Sequence, residues 1–180
     1  MPDKTPLAAI AALGAAAALA APAAAFEVAT TSLRADGHFV AAQAYDRHGC
    51  GGANVSPELH WSGAPAATRG YALTLYDPDA RGGRGWWHWL VIGLPATQHA
   101  LAAGAALPAG AHAWRNSFGE SGYGGPCPPH GDAPHHYVLT LYALRTATLN
   151  PPPEADAAQV AALVQADALA STQLVGRYAR

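Results

Sequence analysis

The sequence predicts an all-β fold, most simply a β-sandwich, with a helix near the C-terminus. Three short runs rich in aromatic and β-branched residues indicate strands: residues 71–76 (YALTLY), 87–95 (WHWLVIGLP) and 136–144 (HYVLTLYAL). Each run is bounded by Gly or Pro clusters, and in the first run Tyr71, Leu73 and Leu75 fall on one parity, as residues on one face of a strand do. Several strands of this kind in one chain favour a sandwich.

The first 25 residues are predicted to be a signal peptide that is cleaved before Phe26. Lys4 precedes an apolar, alanine-rich run, and residues 23–25 (AAA) give the small-residue pattern that signal peptidase cuts. The alternative is an uncleaved membrane anchor, although a run made almost wholly of alanine is weakly hydrophobic for a bilayer span. Residues 26–180 are therefore expected to form one domain that is periplasmic or secreted and not inserted in the membrane.

The remaining elements are predicted from Gly, Pro and helical periodicity. Residues 26–60 show no helical period and are expected to be turns and extended chain, because Gly and Pro break both regular patterns. The Ala- and Gly-rich residues 99–114 predict a long connection with one edge strand. Pro151 to Pro153 end the sheet region, since Pro cannot donate to a ladder. Apolar residues at three- and four-residue spacing then predict a helix over 154–171.

The charge and the absent motifs exclude several classes of protein. Residues 26–180 contain 9 Arg, no Lys and 11 Asp plus Glu, with no basic stripe, so nucleic acid is not expected as a partner. The sequence also lacks the G-x-S-x-G elbow, the H-E-x-x-H helix and the phosphate-binding P-loop. The usual signals of hydrolases and nucleotide-binding proteins are therefore missing.

Residues 77–93 (DPDARGGRGWWHWLVIG) collect acidic, aromatic and imidazole side chains around one predicted turn. Asp77 ends the first predicted strand, the Gly/Arg loop turns the chain, and His88 begins the next strand. Asp77 and His88 are then expected to lie near each other across the mouth of a hairpin. Strand alternation divides the tryptophans between two faces: Trp86 with His88 on one, Trp87 with Trp89 on the other.

A second cluster lies at residues 122–137 (GYGGPCPPHGDAPHHY). Its glycines let the backbone approach a ligand closely, and its prolines stiffen the loop. The loop leads into the third predicted strand, where His135 and Tyr137 are two residues apart and so share a face. His136 is expected on the opposite face, outside any pocket.

Together the two clusters would supply two imidazoles, a phenol, a carboxylate and an apolar indole floor. Imidazole N–H, phenol O–H and loop N–H groups are all donors, so the site suits an oxyanion, particularly phosphate or a phosphomonoester. Asp77 would repel an anion unless it bonds a histidine ring nitrogen, fixes its tautomer and favours its charged form. It could also accept a hydrogen bond from a protonated phosphate or a ligand amine.

Each of these residues also has a structural explanation, and other functions stay open. Asp77 and Asp79 can stabilise a turn, and His88 can be a hydrogen-bonded core histidine. His88, His135 and His130 could bind zinc with Asp77, although no ligand-pair spacing is present. The same groups could serve a metal-assisted hydrolase, but no nucleophile is evident. We therefore expect a binding protein without a cofactor rather than an enzyme.

Cys50 and Cys127 are the two cysteines of the chain, and neither belongs to a C-x-x-C pair. In an exported protein two cysteines most simply form one disulfide, and two separate thiols are the alternative. A disulfide would tie the loop of the second cluster to the Gly-rich segment that follows Cys50.

The segments DPDA…WWHW and GYGGPCPPHGDAPHHYVLTLYAL resemble motifs of the phosphatidylethanolamine-binding proteins, also called Raf kinase inhibitor-like proteins, in their bacterial YbhB/YbcL branch. CGGANVSPELHWSGAP is similar to the segment ahead of the first motif, and LVGRYAR (residues 174–180) is similar to the final helix. The resemblance covers nearly all of residues 27–180. It implies a Greek-key β-sandwich with peripheral helices and a small anion pocket at one end. The ligand-binding residues that it implies are Asp77, Trp86, His88, Cys127, Pro128, Pro129, His135 and Tyr137.

Three departures from the family pattern fall near the rim of the implied pocket. Arg81 stands where Pro is usual, His136 where Arg is usual, and Gly93 where Asn often ends the strand. The resemblance implies binding of phosphate or phosphate-bearing head groups. Because some members inhibit kinases or proteases, inhibition of a protease or another enzyme through surface loops is the alternative function.

Overall fold

The computed structural model describes residues 24–180, so residues 1–23 of the predicted signal peptide lie outside the described part of the chain. The strands are β1 (Glu27–Ala29), β2 (Leu59–Ser62), β3 (Gly70–Asp77), β4 (Trp86–Pro95), β5 (Ala100–Leu101), β6 (His112–Ala113), β7 (His135–Leu144) and β8 (Ala168–Tyr178). The helices are α1 (Ala80–Gly83) and α2 (Ala157–Asp167). Among residues 24–180, no helix combines the length and the apolar character that crossing a membrane requires.

The strands form two antiparallel sheets. The smaller sheet has the order β1-β2-β5, and the larger has the order β6-β4-β3-β7-β8. The three strands predicted from the most apolar runs, β3, β4 and β7, lie together in the middle of the larger sheet. The predicted edge strand between residues 99 and 114 is present as two short strands, β5 and β6. The predicted all-β fold class is confirmed.

The core of the sandwich lies between the two sheets. Leu59 and Trp61 of the smaller sheet belong to the same buried cluster as Leu73, Leu139 and Leu141 of the larger one. Leu139 and Leu141 are two positions apart in β7, so they point to the same side of the sheet. Burying one such leucine stabilises the fold by about 1.5–3 kcal/mol. The alternating apolar positions seen in the sequence are therefore the inner face of the sheet.

Helix α2 covers the outer face of the larger sheet. Val160 and Val164 of α2 form a second buried cluster with Leu90 of β4. The helix begins with a capping box, in which the Asp156 carboxylate accepts from the Gln159 N–H at 2.8 Å and the Gln159 side chain accepts from the Asp156 N–H at 2.8 Å. The predicted helix is confirmed, but it ends at Asp167 and not at residue 171.

The C-terminal segment is a strand, so the helix expected for residues 174–180 is wrong. β8 pairs with β7 in antiparallel register from Ala168 to Tyr178. Without β8, one edge of the long strand β7 would carry unpaired backbone N–H and C=O groups. Pairing with β8 satisfies those groups, and such a tertiary effect cannot be predicted from local helix propensity.

A β-bulge at the start of β4 separates two tryptophans that strand alternation places together. Trp87 and Trp89 pair with Tyr76 and Leu75, which are neighbours in β3, so His88 is the extra residue of the bulge. Trp89 packs in the core between the sheets, whereas Trp87 packs on the outer side with the α2 cluster. The prediction that Trp87 and Trp89 share a face is therefore wrong.

Candidate functional site

One edge of the larger sheet encloses a cavity of about 370 Å³. Because β3 runs antiparallel to both neighbours, its end meets the starts of β4 and β7 at this edge. The cavity brings together seven of the eight residues predicted to bind a ligand. They are Asp77, Trp86, His88, Cys127, Pro128, Pro129 and His135.

Asp77 is the structural centre of the pocket. Its Oδ1 accepts hydrogen bonds from the backbone N–H groups of Asp79 at 2.8 Å and Ala80 at 3.0 Å, which fixes the turn after β3. Its Oδ2 lies 2.8 Å from Nδ1 of His135. The side chain is buried, so these bonds are formed away from bulk water. Asp77 therefore both shapes the turn, as the structural explanation proposed, and orients a histidine.

The carboxylates around His135 favour its charged form. Burial alone would lower the pKa of His135, but the hydrogen bond and the charge of Asp77, helped by Asp132 and Asp79, raise that pKa above its usual value. Its Nε2 lies 3.5 Å from Oδ2 of Asp132 at the rim. Nδ1 is engaged by Asp77, so Nε2 is the ring nitrogen left for a ligand, and it donates a hydrogen bond when the ring is protonated.

His88 differs from His135 in both burial and charge. Burial in the protein lowers the pKa of His88 to about 4, against the opposing effects of the Gly124 carbonyl and Asp77. Its Nδ1 lies 2.6 Å from the carbonyl oxygen of Gly124, and the Gly124 N–H in turn donates to the His88 carbonyl at 2.9 Å. The ring is therefore fixed in orientation and neutral near pH 7.

Tyr137 lies beneath the pocket and does not line it. Its side chain is fully buried, its ring lies 5.1 Å from that of His88, and burial raises its pKa, so the hydroxyl keeps its proton. Asp77 and the Cys127 backbone are its polar neighbours, but the hydroxyl makes no hydrogen bond of normal geometry within residues 24–180. The indole N–H of Trp86 is likewise buried without a partner in this region.

The rim contains Arg81, as expected from the sequence, and three residues that were not predicted there: Phe118, Asp79 and Asp132. Phe118 packs edge-on against Trp86 at 5.2 Å, and the Arg81 guanidinium lies over the Trp86 ring, 5.3 Å from its centroid. Asp79 and Asp132 add two partly exposed carboxylates. Arg81 follows the DPDA motif directly, so its position beside the turn was a usable signal. Phe118 and Asp132 lie in irregular loops, where no periodicity indicates direction.

Comparison with known proteins agrees with this architecture. The family model described as "Phosphatidylethanolamine-binding protein" matches residues 30–179. YbcL of Escherichia coli is 40% identical over 164 residues, covering 88% of this chain and 90% of YbcL. YbhB of the same organism is 38% identical over 135 residues, covering 72% and 85%.

The match over residues 30–179 decides the family. The chain belongs to the phosphatidylethanolamine-binding protein family. The crystal structure of Escherichia coli YbcL superposes with a TM-score of 0.82 at 38% identity, and the match covers 87% of this chain and 99% of that one. The lipoprotein LppC of Mycobacterium tuberculosis is 45% identical over 129 residues, covering 72% of this chain and 62% of LppC.

The departures from the phosphatidylethanolamine-binding protein pattern have structural explanations. Arg81 adopts a left-handed conformation with φ of 54°, which Pro could not adopt. His136 faces away from the pocket, and both its backbone N–H and its ring bind the Asp79 carboxylate, at 2.7 and 2.9 Å. Gly93 has φ of 76°, a conformation that Gly and Asn tolerate best.

The wall of the pocket is crosslinked. Cys50 and Cys127 form a disulfide with Cα atoms 5.5 Å apart, so the predicted bridge is present in the structure. Arg180 adds two hydrogen bonds across the same loops, from Nε to the Pro128 carbonyl at 2.6 Å and from Nη1 to the Gly49 carbonyl at 2.9 Å. The C-terminal residue thus helps to hold the proline wall in place.

The described part of the chain contains no set of side chains that could bind zinc. No three His, Cys, Asp or Glu side chains between residues 24 and 180 are grouped so that they could hold a metal ion. His130, the third histidine of the zinc alternative, does not line the pocket. His88 and His135 instead use their Nδ1 atoms for protein partners.

Proposed function

We propose that this phosphatidylethanolamine-binding protein is an exported binding protein whose pocket holds phosphate or a phosphomonoester head group. The proposal rests on hydrogen-bonding groups at one cavity and directly beneath it. The carboxylates around His135 raise its pKa and so favour its charged form. The buried N–H of Trp86 in the lining and the buried O–H of Tyr137 beneath it lack acceptors within residues 24–180. Buried donors cost free energy unless an acceptor satisfies them, and phosphate oxygens are acceptors.

The negative charge of Asp77 is offset by positive groups at the pocket. Both of its oxygens have protein hydrogen-bond partners. Its negative charge also raises the pKa of His135. Arg81 adds a positive group at the rim, stacked on Trp86. Arg81 and His135 thus place positive charge in the same lining as the Asp77 carboxylate when His135 is protonated.

Binding fits the pocket better than catalysis. The residues that line it include no Ser, Thr or Lys, and Cys127 is engaged in the disulfide. Carboxylates and imidazoles are the side chains of the lining that could act as covalent nucleophiles, but Asp77 and His135 are bonded to each other and His88 is bonded to the Gly124 carbonyl.

Export is the second part of the proposal. Disulfides persist mainly in oxidising compartments outside the cytoplasm, and one relative is named as a lipoprotein. The predicted signal peptide would supply the route. Mass spectrometry of the protein recovered from a periplasmic extract should give a chain that begins at Phe26. A chain that retains residues 1–25 in that extract would contradict cleavage.

Calorimetric titration tests the binding proposal. Wild type should bind inorganic phosphate and phosphoethanolamine, and His135→Ala and His88→Ala should weaken both by at least about tenfold, since each removes a hydrogen-bonding group worth about 1.5 kcal/mol or more. His112→Ala is the matched control, because His112 is exposed on β6 and lies outside the pocket. Equal affinity in all four proteins would refute the proposal.

A further inference from the structure

His88 presents a hydrogen-bond acceptor, and not a donor, to the pocket. A carbonyl oxygen can only accept, so the 2.6 Å contact with Gly124 places the ring proton on Nδ1. In a neutral imidazole the other nitrogen, Nε2, then carries a lone pair. Burial keeps the ring neutral near pH 7, because it lowers the pKa to about 4. The ring lines the cavity, and its hydrogen bond of normal geometry within residues 24–180 is the one from Nδ1 to Gly124, with the Gly125 backbone as a second polar neighbour.

The tautomer of His88 is locked by the fold. The Gly124 N–H donates back to the His88 carbonyl at 2.9 Å, so loop and strand hold each other in register. The ring also packs edge-on against Tyr137 at 5.1 Å and Phe118 at 5.5 Å. Turning the ring over to offer an N–H to the pocket would break the buried bond to Gly124. That loss makes the acceptor a fixed property of the site.

The charged groups around His88 do not favour a proton-free dianion. The carboxylates of Asp77, Asp79 and Asp132 line the cavity, and Arg81 and the charged His135 are the cationic groups among its lining residues. His88 itself faces Asp77 and His135, whose charges act on it in opposite directions. An anion entering this cavity therefore meets more acceptors than an ordinary oxyanion site offers.

We propose that the pocket selects anions that carry a proton, which they donate to Nε2 of His88, while their other oxygens accept from Nε2 of His135. Hydrogen phosphate and singly protonated phosphomonoesters satisfy this condition. Sulfate and phosphodiesters, including the diester of an intact phospholipid, do not. This inference rests on the proposed function, and it distinguishes a free phosphate or monoester from a lipid diester.

Four small anions distinguish the effect of a proton on affinity from the effects of the anion's charge and size. Inorganic phosphate and methyl phosphate carry a proton at about pH 5.5, since the second pKa of a phosphomonoester is about 6. Sulfate is a proton-free dianion of the same shape as phosphate, and dimethyl phosphate is a proton-free monoanion. Titrating all four at about pH 5.5 and about pH 8 keeps the charge state of His135 the same within each series.

At about pH 5.5 phosphate and methyl phosphate should bind. Sulfate and dimethyl phosphate should bind at least about tenfold more weakly, because they carry no proton and would place an oxygen against the lone pair of His88 Nε2. At about pH 8 methyl phosphate becomes a proton-free dianion, so its affinity should fall at least about tenfold relative to inorganic phosphate, which keeps a proton. His88→Gln, whose amide can turn to donate or accept, should lose this discrimination. His112→Gln should retain it.

The outcomes separate the two proposals. Sulfate and dimethyl phosphate binding within about threefold of phosphate in the wild type would overturn the selection while leaving phosphate binding intact. Absence of phosphate binding at both pH values would overturn the proposed function and the selection together. The wild-type series decides the question even if the His88→Gln chain does not fold.

Discussion

Tyr137 carries a hydroxyl that is buried and lacks a hydrogen-bond partner in the described part of the chain. An unsatisfied buried polar group costs about 1–3 kcal/mol, so this hydroxyl does not stabilise the free protein. Phe39 and His88 hold the ring in edge-on contacts at 5.8 and 5.1 Å, and those contacts need no hydroxyl. Ligand binding is a reason for keeping a tyrosine rather than a phenylalanine at this position.

Tyr137→Phe should therefore separate stability from affinity. We expect the free energy of unfolding to stay constant or to rise by about 1 kcal/mol, while phosphate affinity falls about tenfold. Urea denaturation and calorimetry measure the two effects. Tyr142→Phe, which lies in the α2 cluster, is the control and should leave affinity unchanged. A destabilised Tyr137→Phe with wild-type affinity would show that the hydroxyl is structural.

At the scale of elements, the pocket depends on how strand ends are tied to loops. The bulge in β4 turns His88 toward β7, and the disulfide holds the proline wall against the segment that follows Cys50. Arg180 reaches the same wall from the end of β8. The C-terminal residue that follows the final strand, which the sequence did not predict, therefore reaches the wall of the candidate site.

The disulfide should make a large contribution to stability. It joins residues 77 positions apart, and closing a loop of that length stabilises the fold by about 4 kcal/mol in the chain-entropy model. Replacing Cys50 and Cys127 by Ser should lower the free energy of unfolding by about 2–5 kcal/mol and weaken phosphate binding. In the wild type, thiol reagents should label the unfolded chain only after reduction. Labelling of the unreduced, unfolded chain would contradict the bridge.

For the whole molecule, the two pocket histidines should give opposite pH dependences of stability. The unfolded state protonates His88 near pH 6.5, but the folded state does so only near pH 4, so the unfolded state binds more protons in between. Stability should therefore fall by about 3 kcal/mol as the pH drops from 6.5 to 4. His135 has a raised pKa, so its stabilising contribution is lost as the pH rises through that folded pKa.

Guanidinium denaturation at a series of pH values checks this balance. Wild-type stability should be greatest near pH 6.5, and His88→Gln should lose less stability between pH 6.5 and 4 than the wild type. His112→Gln should follow the wild type. A His88→Gln curve parallel to that of the wild type over this range would show that His88 does not resist protonation in the folded state.

The central sheet could be predicted from the sequence because its signal is local. Leu73 and Leu75 are two positions apart in β3 and so share a face. Asp77 ends β3 and His135 begins β7, so their places at the pocket follow from where the predicted strands end and begin. β8 could not be predicted in this way. Its residues mix polar and apolar types without a buried face, and its conformation is fixed by pairing with β7.

The rest of the pocket depends on geometry that local patterns do not contain. A one-residue bulge places Trp87 and Trp89 on opposite faces of the sheet, and a prediction from strict alternation does not allow for such an insertion. Phe118 and Asp132 reach the rim from loops with no period. The resemblance to the phosphatidylethanolamine-binding proteins supplied Cys127 and the two prolines, which strand parity alone would not have placed in the wall.

A crystal structure with arsenate would show whether the pocket binds a protonated anion between the two histidines, because arsenate is a protonated analogue of phosphate and its anomalous scattering locates it. We expect one dominant arsenic peak in the pocket, with one oxygen about 3 Å from Nε2 of His88 and another about 3 Å from Nε2 of His135. A dominant peak away from these two nitrogens, or no peak in the pocket at saturating arsenate, would contradict this expectation.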